Sequence, residues 1–381
     1  MPKARRKTKA RTVPYVRGFH APTEVRSRNA IINGPAKKYE HLPKEYKAER
    51  EYFQPVPKCT SIDDWLAQYQ EDGQTYKQFL MECPWLSTIK PKYIKMAFKP
   101  DGDNLVQKYP EGRIYIVPIE CKTLENPSIV PNIDTIIEYT EIFLGLPVTA
   151  LPPICVEAKS GVISLISDNH TSDTRRSRST DGNLKCRYNK ESGNYQLHIS
   201  DLLLKLRKMS ADDAICLVAL TMFDLYEDPS DLFVAGMAAG NHRVAVFSLL
   251  RYDPTLSFSQ EFWYDIRRIP SHGKDDAAMS DEKRRRLVLQ RSCKLVVHEI
   301  GHLLGLDHCI FFSCCMNGAG HLEEDFRQPL YLCPVDLRKL HTLTGVNVIQ
   351  RYRRLCDFYE REGMKAEQDW VQRRLVHLTS E

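Results

Sequence analysis

The chain has 381 residues, 42% of them apolar and 27% charged, with 54 basic against 49 acidic residues and a net charge of +5. That composition suits a globular protein with a real core, one large domain or two small ones, and the mild positive excess makes no case for nucleic acid as a partner of the whole chain. The richest apolar run, "AICLVALTMF" (Ala214–Phe223), falls far short of the ~18 residues of a membrane span, and no apolar stretch of the secretory type follows the positive start.

Residues 1–12 carry Lys3, Arg5, Arg6, Lys7, Lys9 and Arg11 and no acid. They read as a solvated arm or as a nuclear import signal, so the expected location is cytoplasmic, or nuclear through that arm. A basic, largely disordered arm is expected over 1–50 and a helical extension over 51–110, where "SIDDWLAQYQ" and "TYKQFLMEC" have the spacing of short amphipathic helices. An upper subdomain is expected over 111–305. It opens on the β-branched run "RIYIVPIE" (Arg113–Glu120), followed by a helix in "IDTIIEYTEIFLGL" that ends at Gly145, and by a second extended run in "PVTALPPICV". The stretch 158–183 reads as an insertion. Its "HTSDTRRSRSTDGN" is polar throughout and predicts an exposed loop.

"LKCRYN" and "YQLH" predict a hairpin, "ISDLLLKLRKM" a helix, and "DAICLVALTMFDLY" a central strand covered on both faces. "RVAVFSLLRY" (Arg243–Tyr252) predicts another strand. A long helix is expected from Asp281 to Gly305, capped by Ser280, with Cys293, Val296, Val297, Ile300 and Leu304 as its buried stripe. A lower subdomain follows over 306–381 and closes on two helices broken at Gly363. Twelve cysteines without a secretory signal read as reduced thiols and metal ligands. Cys59, Cys83, Cys121, Cys155, Cys216, Cys293 and Cys356 are scattered and read as core residues.

The chemistry concentrates in "HEIGHLLGLDHCIFFSCCMN", His298 to Asn317. His298 and His302 stand four residues apart and so project from one helix face, as a shared zinc requires. Glu299 lies one helical step off the metal, in reach of a zinc-bound water, where a general base belongs. Gly305 suits the left-handed turn that ends a helix, and the returning chain brings His308 to the same metal. Three imidazoles leave the fourth tetrahedral position open, the arrangement of a catalytic zinc. Met316, eight residues on, resembles the methionine of the turn that lies below the metal in the metzincins.

With "HLEEDFRQPLYLCPVD" downstream, these residues resemble the archaemetzincin family of zinc metallopeptidases. The resemblance covers most of residues 50–356. It implies an α+β fold of metzincin type: a mixed twisted sheet, an active-site helix, a Met-turn and a small zinc-stapled helical subdomain. It also implies a strand that pairs with an extended substrate, here "RVAVFSLLRY", and a second, structural zinc held by four cysteines. Cys309, Cys314 and Cys333 match three of those positions. The fourth is Asp336, a departure from the family pattern, with Cys315 as the alternative ligand. The function implied is hydrolysis of peptide bonds in a peptide or protein substrate by a monomer, with no membrane or nucleic-acid partner. A zinc-stabilised binding protein is the alternative reading, and Glu299 argues against it, since a binding module has no need of a general base.

Overall fold

The computed structural model describes residues 14–121, 129–159, 162–165, 183–190, 194–255 and 279–380. In chain order the helices are α1 (Glu24–Ala30), α2 (Trp65–Gln68), α3 (Tyr76–Glu82), α4 (Leu105–Lys108), α5 (Ile133–Leu144), α6 (Ile199–Met209), α7 (Asp281–Leu303), α8 (Leu322–Arg327), α9 (Pro334–Thr344), α10 (Val348–Arg361) and α11 (Lys365–Thr379). The strands are β1 (Arg113–Cys121), β2 (Val148–Ala150), β3 (Ile154–Lys159), β4 (Val162–Leu165), β5 (Asn183–Leu184), β6 (Cys186–Asn189), β7 (Asn194–His198), β8 (Ala214–Thr221), β9 (Asp224–Tyr226), β10 (Gly236–Ala239) and β11 (Val244–Ser248). The basic arm and most of the expected insertion lie outside the described residues.

These elements form two compact units. One joins the residues up to Glu82 with Leu306–Lys339, and the other joins Cys83–Gly305 with the residues from Leu340 onward. These units divide the chain differently from the expected boundaries. The extension 51–110 is divided at Glu82, and the expected lower subdomain 306–381 is divided at Lys339. The terminal helices fall in the unit that carries the sheet because α10 packs on α5 and α11, with Tyr139 and Tyr359 joined hydroxyl to hydroxyl at 3.1 Å.

The sheet unit is mixed α/β. Its large sheet runs β10-β11-β8-β1-β3-β4-β5, with β2 also on β1. β1, β8 and β11 are parallel, while β10, β4 and β5 pair antiparallel with their neighbours. β8 is buried at every position, which explains its unbroken apolar sequence: a parallel strand covered on both faces has no polar side to show. Val117, Ile119, Leu217, Ala219, Val244 and Val246 line one face, and Ile199, Leu202 and Leu206 of α6 close over it. Each such Val, Leu or Ile side chain contributes about 1.5–3 kcal/mol when fully buried. α5 and α7 pack against each other, and α7 against β8. A small second sheet, β6-β7-β9, carries the expected hairpin.

Two expectations fail here. The strand within Arg243–Tyr252 is short, Val244–Ser248, and is paired on both sides, to β10 and β8. It therefore has no free edge for a substrate, and among the described residues the terminal strand on that side is β10. The span 1–50, expected to be a largely disordered arm, contains α1, capped by the Thr23 hydroxyl, and Ile31 and Phe19 within it are buried.

The other unit has less regular structure. Ser27 donates its hydroxyl to the Phe311 carbonyl at 3.2 Å, and Ser313 N–H donates to the Gln54 carbonyl at 2.8 Å. Its N-terminal and C-terminal pieces are thus tied by backbone as well as by packing. Among the described residues no helix is long and apolar enough to cross a membrane.

Candidate metal centres

The helix α7 is set at both ends. The Ser280 hydroxyl accepts the Lys283 N–H, and Asp281 and Glu282 occupy the first turn, where the helix dipole favours negative charge. Arg284 reaches from that turn to Asp253, its Nε donating to Oδ1 at 2.8 Å and its Nη2 to Oδ2 at 2.5 Å. Cys293, Val296, Val297, Ile300 and Leu304 are all buried. At the far end Trp85 Nε1 donates to the Leu303 carbonyl and the Cys83 thiol to that of Leu304, which satisfies carbonyls the helix itself leaves open. Gly305 then turns the chain at φ +92°, in the left-handed region that favours glycine.

On that fixed helix His298 and His302 bring their Nε2 atoms to 3.0 Å, with ring planes at 84°. Two imidazole nitrogens that share a tetrahedral zinc at ~2.0–2.1 Å stand roughly 3.3 Å apart, so the pair fits a common metal. Glu299, beside them on the helix, is half-buried.

In the other unit His308 Nδ1 lies 2.8 Å from the Glu71 carboxylate, and its ring meets Trp65 edge-on at 4.9 Å. Cys309, Cys314, Cys333 and Asp336 converge, their ligand atoms all within 4.8 Å of one another and all four residues buried. The Cys309 and Cys333 sulfurs are 3.6 Å apart, against roughly 3.8 Å for two thiolates sharing a zinc at ~2.3 Å. Asp336 Oδ2 lies 3.2 Å from Cys314 Sγ and 3.3 Å from Cys333 Sγ. The donor set therefore fits a zinc. Cys315, the alternative fourth ligand, is buried but not part of the group; its N–H donates to the Tyr331 carbonyl. Met316 is buried, and its carbonyl accepts the Cys309 N–H at 2.8 Å.

Charge explains how an aspartate sits there. Lys339 is fully buried and its Nζ donates to Asp336 Oδ1 at 2.9 Å. Burial pushes the Asp336 carboxyl up to about 6, against the pull of Lys339. Burial likewise raises the Cys314 and Cys333 thiols, while Cys309, despite the same burial, is held well below its usual range by the two other thiols and by Lys339. Lys339 and Asn317 were not singled out from the sequence. Asn317 accepts the Cys314 N–H and donates to the carbonyls of Cys309 and Phe312, and so shapes the loop that presents both cysteines. Lys339 had a signal: it stands at i+3 from Asp336 on a helix, where side chains meet.

Asp64, His321 and Glu324 also gather, but their polar atoms are engaged. Asp64 Oδ1 takes His321 Nε2 at 2.8 Å and Arg327 Nη2 at 2.9 Å. Glu324 Oε2 takes the N–H groups of Trp65 and Gly320, and His321 Nδ1 accepts the Glu324 N–H. Arg327 supplies the positive charge in that group, which reads as a structural lock.

A helix-borne histidine pair and a buried cysteine cluster give the chain two groups of metal-ligand type. The sequence model of peptidase family M54 matches residues 277–342. Archaemetzincin-2 of Pongo abelii is 30% identical over 355 residues, covering 90% of this chain and 85% of that protein, and Archaemetzincin-2 of Homo sapiens matches to the same extent. The crystal structure of archaemetzincin from Methanopyrus kandleri aligns with 63% of this chain and 96% of that one at 22% identity, with a TM-score of 0.36. The chain belongs to the archaemetzincin family, peptidase family M54.

Proposed function

We propose that this chain hydrolyses peptide bonds at a zinc held by His298, His302 and His308, with Glu299 as general base. The observation that carries the reading is the His298–His302 pair, whose Nε2 atoms stand 3.0 Å apart on a helix capped at Ser280 and packed from Val288 onward. The covalent chain supports the third ligand: His308 follows Gly305 by three residues, and the left-handed turn at Gly305 ends the helix there. When bound, zinc supplies Lewis acidity toward a water and toward the carbonyl oxygen of the scissile bond. Glu299, next to His298, takes the proton of the attacking water and passes it to the leaving amine. Met316 is proposed to form the Met-turn.

An extended substrate pairs with a strand edge. β10 is the terminal strand of the large sheet and runs antiparallel to β11, so Gly236–Ala239 replaces Arg243–Tyr252 as the proposed substrate edge.

We further propose that Cys309, Cys314, Cys333 and Asp336 hold a second, structural zinc. The test of the function is metal withdrawal and return. Chelation should abolish cleavage of a peptide substrate, and stoichiometric zinc should restore it. Cleavage that persists in the zinc-free protein would remove the reading.

A further inference from the structure

Residues 65–74 contact the third proposed zinc ligand from several directions. Glu71 lies at hydrogen-bond distance from His308 Nδ1, 2.8 Å, and both side chains are four-fifths buried. The Trp65 ring stands edge-on to the imidazole at 83°. One residue before, the Asp307 N–H points to Gln74 Oε1 at 3.4 Å, and Gln74 is buried. Gly73, at φ +70°, has no room for a side chain against Ile310. The segment is thus moulded to residues 307–310.

The chemistry of the contact is directional. A carboxylate only accepts hydrogen bonds, so the imidazole must donate, and its proton must sit on Nδ1. The neutral ring then carries its lone pair on Nε2, the nitrogen by which His298 and His302 face each other. A ring flip would break the Glu71 bond. Carboxylates that hold the far nitrogen of a metal-bound histidine in this way fix its tautomer and raise its basicity.

We propose that Glu71 is a positioning residue of the catalytic centre: by accepting the His308 Nδ1 proton it fixes the tautomer and orientation in which Nε2 binds zinc, with Trp65 as the wall behind the ring. The N-terminal segment is then part of the metal site. The inference rests on the reading of His308 as a zinc ligand, and it assigns a role to a residue 237 positions away in sequence.

The test uses the full chain and follows each zinc separately by chelator competition. Glu71→Ala should weaken the catalytic zinc by about 10–100-fold and leave the cysteine-held zinc unchanged. Glu71→Gln, which keeps an accepting oxygen, should recover most of that affinity. In the zinc-free protein, nitrogen NMR of His308 should report a dominant Nδ1–H tautomer in the parent and a mixture in Glu71→Ala. Catalytic-zinc affinity within two-fold of the parent in Glu71→Ala, alongside loss of that zinc in His308→Ala, would overturn the role of Glu71 while leaving the three-histidine site standing. Retention of both zincs by His308→Ala would overturn the site and the inference together. If Glu71→Ala lost both zincs by misfolding, the tautomer of His308 in Glu71→Gln would decide: an Nδ1–H form supports the inference, and an unchanged mixture of parent and variant contradicts it.

Discussion

Asp336 carries two separable loads in this account, and a pair of substitutions separates them. Its Oδ2 faces Cys314 and Cys333, and its Oδ1 takes the ammonium of Lys339, a residue fully enclosed by protein. Asp336→Ala removes a proposed zinc ligand and also strands a buried lysine. Breaking one half of a buried ion pair costs about 3–5 kcal/mol, which in a chain of this size lowers the melting temperature by about 4–6 °C. Adding Lys339→Met removes the stranded charge. The double variant should therefore recover much of the stability, measured in zinc-free protein, but none of the resistance of the second zinc to chelator. Lys339→Met alone should lose stability and keep that zinc. Calorimetry in excess chelator and a timed chelator challenge read the two loads independently. If Asp336→Ala released zinc no faster than the parent, Asp336 would not be a ligand. If the double variant melted no higher than Asp336→Ala, the ion pair would not be a stability element.

The remaining predictions address the two centres and the helix between the caps. Cys309→Ser should reduce the zinc content by elemental analysis from about two per chain to about one; an unchanged content would remove the cysteine site. Cys315→Ser should cost stability only as a buried thiol exchanged for a hydroxyl, about 1–2 kcal/mol, with zinc retention unaltered; release of the second zinc would make Cys315 the fourth ligand. Burial alone would raise the Asp253 carboxyl, but the Arg284 guanidinium and Thr255 hold it below the usual range, so its contribution is present above the unfolded value of about 3.9 and is lost as pH falls through the lower folded value. Asp253→Asn should thus be less stable than the parent at pH 7, by about 2–3 kcal/mol, with the gap closing below about pH 4. A gap of constant size down to pH 3 would contradict the assignment.

What could be read from the sequence was mostly local. The cap at Ser280, the stop at Gly305 and the stripe from Cys293 to Leu304 are short-range signals, and α7 follows them. The breaks at Gly145 and Gly363 are of the same kind, with both residues at positive φ. The departure at Asp336 was visible only through the family resemblance, which places a cysteine three residues after Cys333 where "CPVD" has an aspartate. Strand order is a different matter. The apolar run of Val244–Ser248 is the same for an edge and an interior strand, and only the pairing with β8 and β10 decides between them. The N-terminal segment defeated periodicity because its buried residues, Phe19, Ala30–Ile32, Tyr46 and Tyr52–Phe53, come from short helices and turns with no repeating spacing. Glu71 gave no signal, since its partner His308 is distant in sequence and a single glutamate in a polar stretch is ordinary.

The central claim is that Glu299 performs peptide-bond hydrolysis beside the histidine-held zinc. The most direct measurement compares cleavage of a mixed peptide library by the zinc-loaded chain and by Glu299→Gln, with zinc content determined on the same samples. The account predicts cleavage by the parent and a rate at least ~100-fold lower in the variant, at equal zinc. Equal cleavage by both would contradict the general base, and no cleavage by a parent holding two zincs would turn the account toward a zinc-stabilised binding protein.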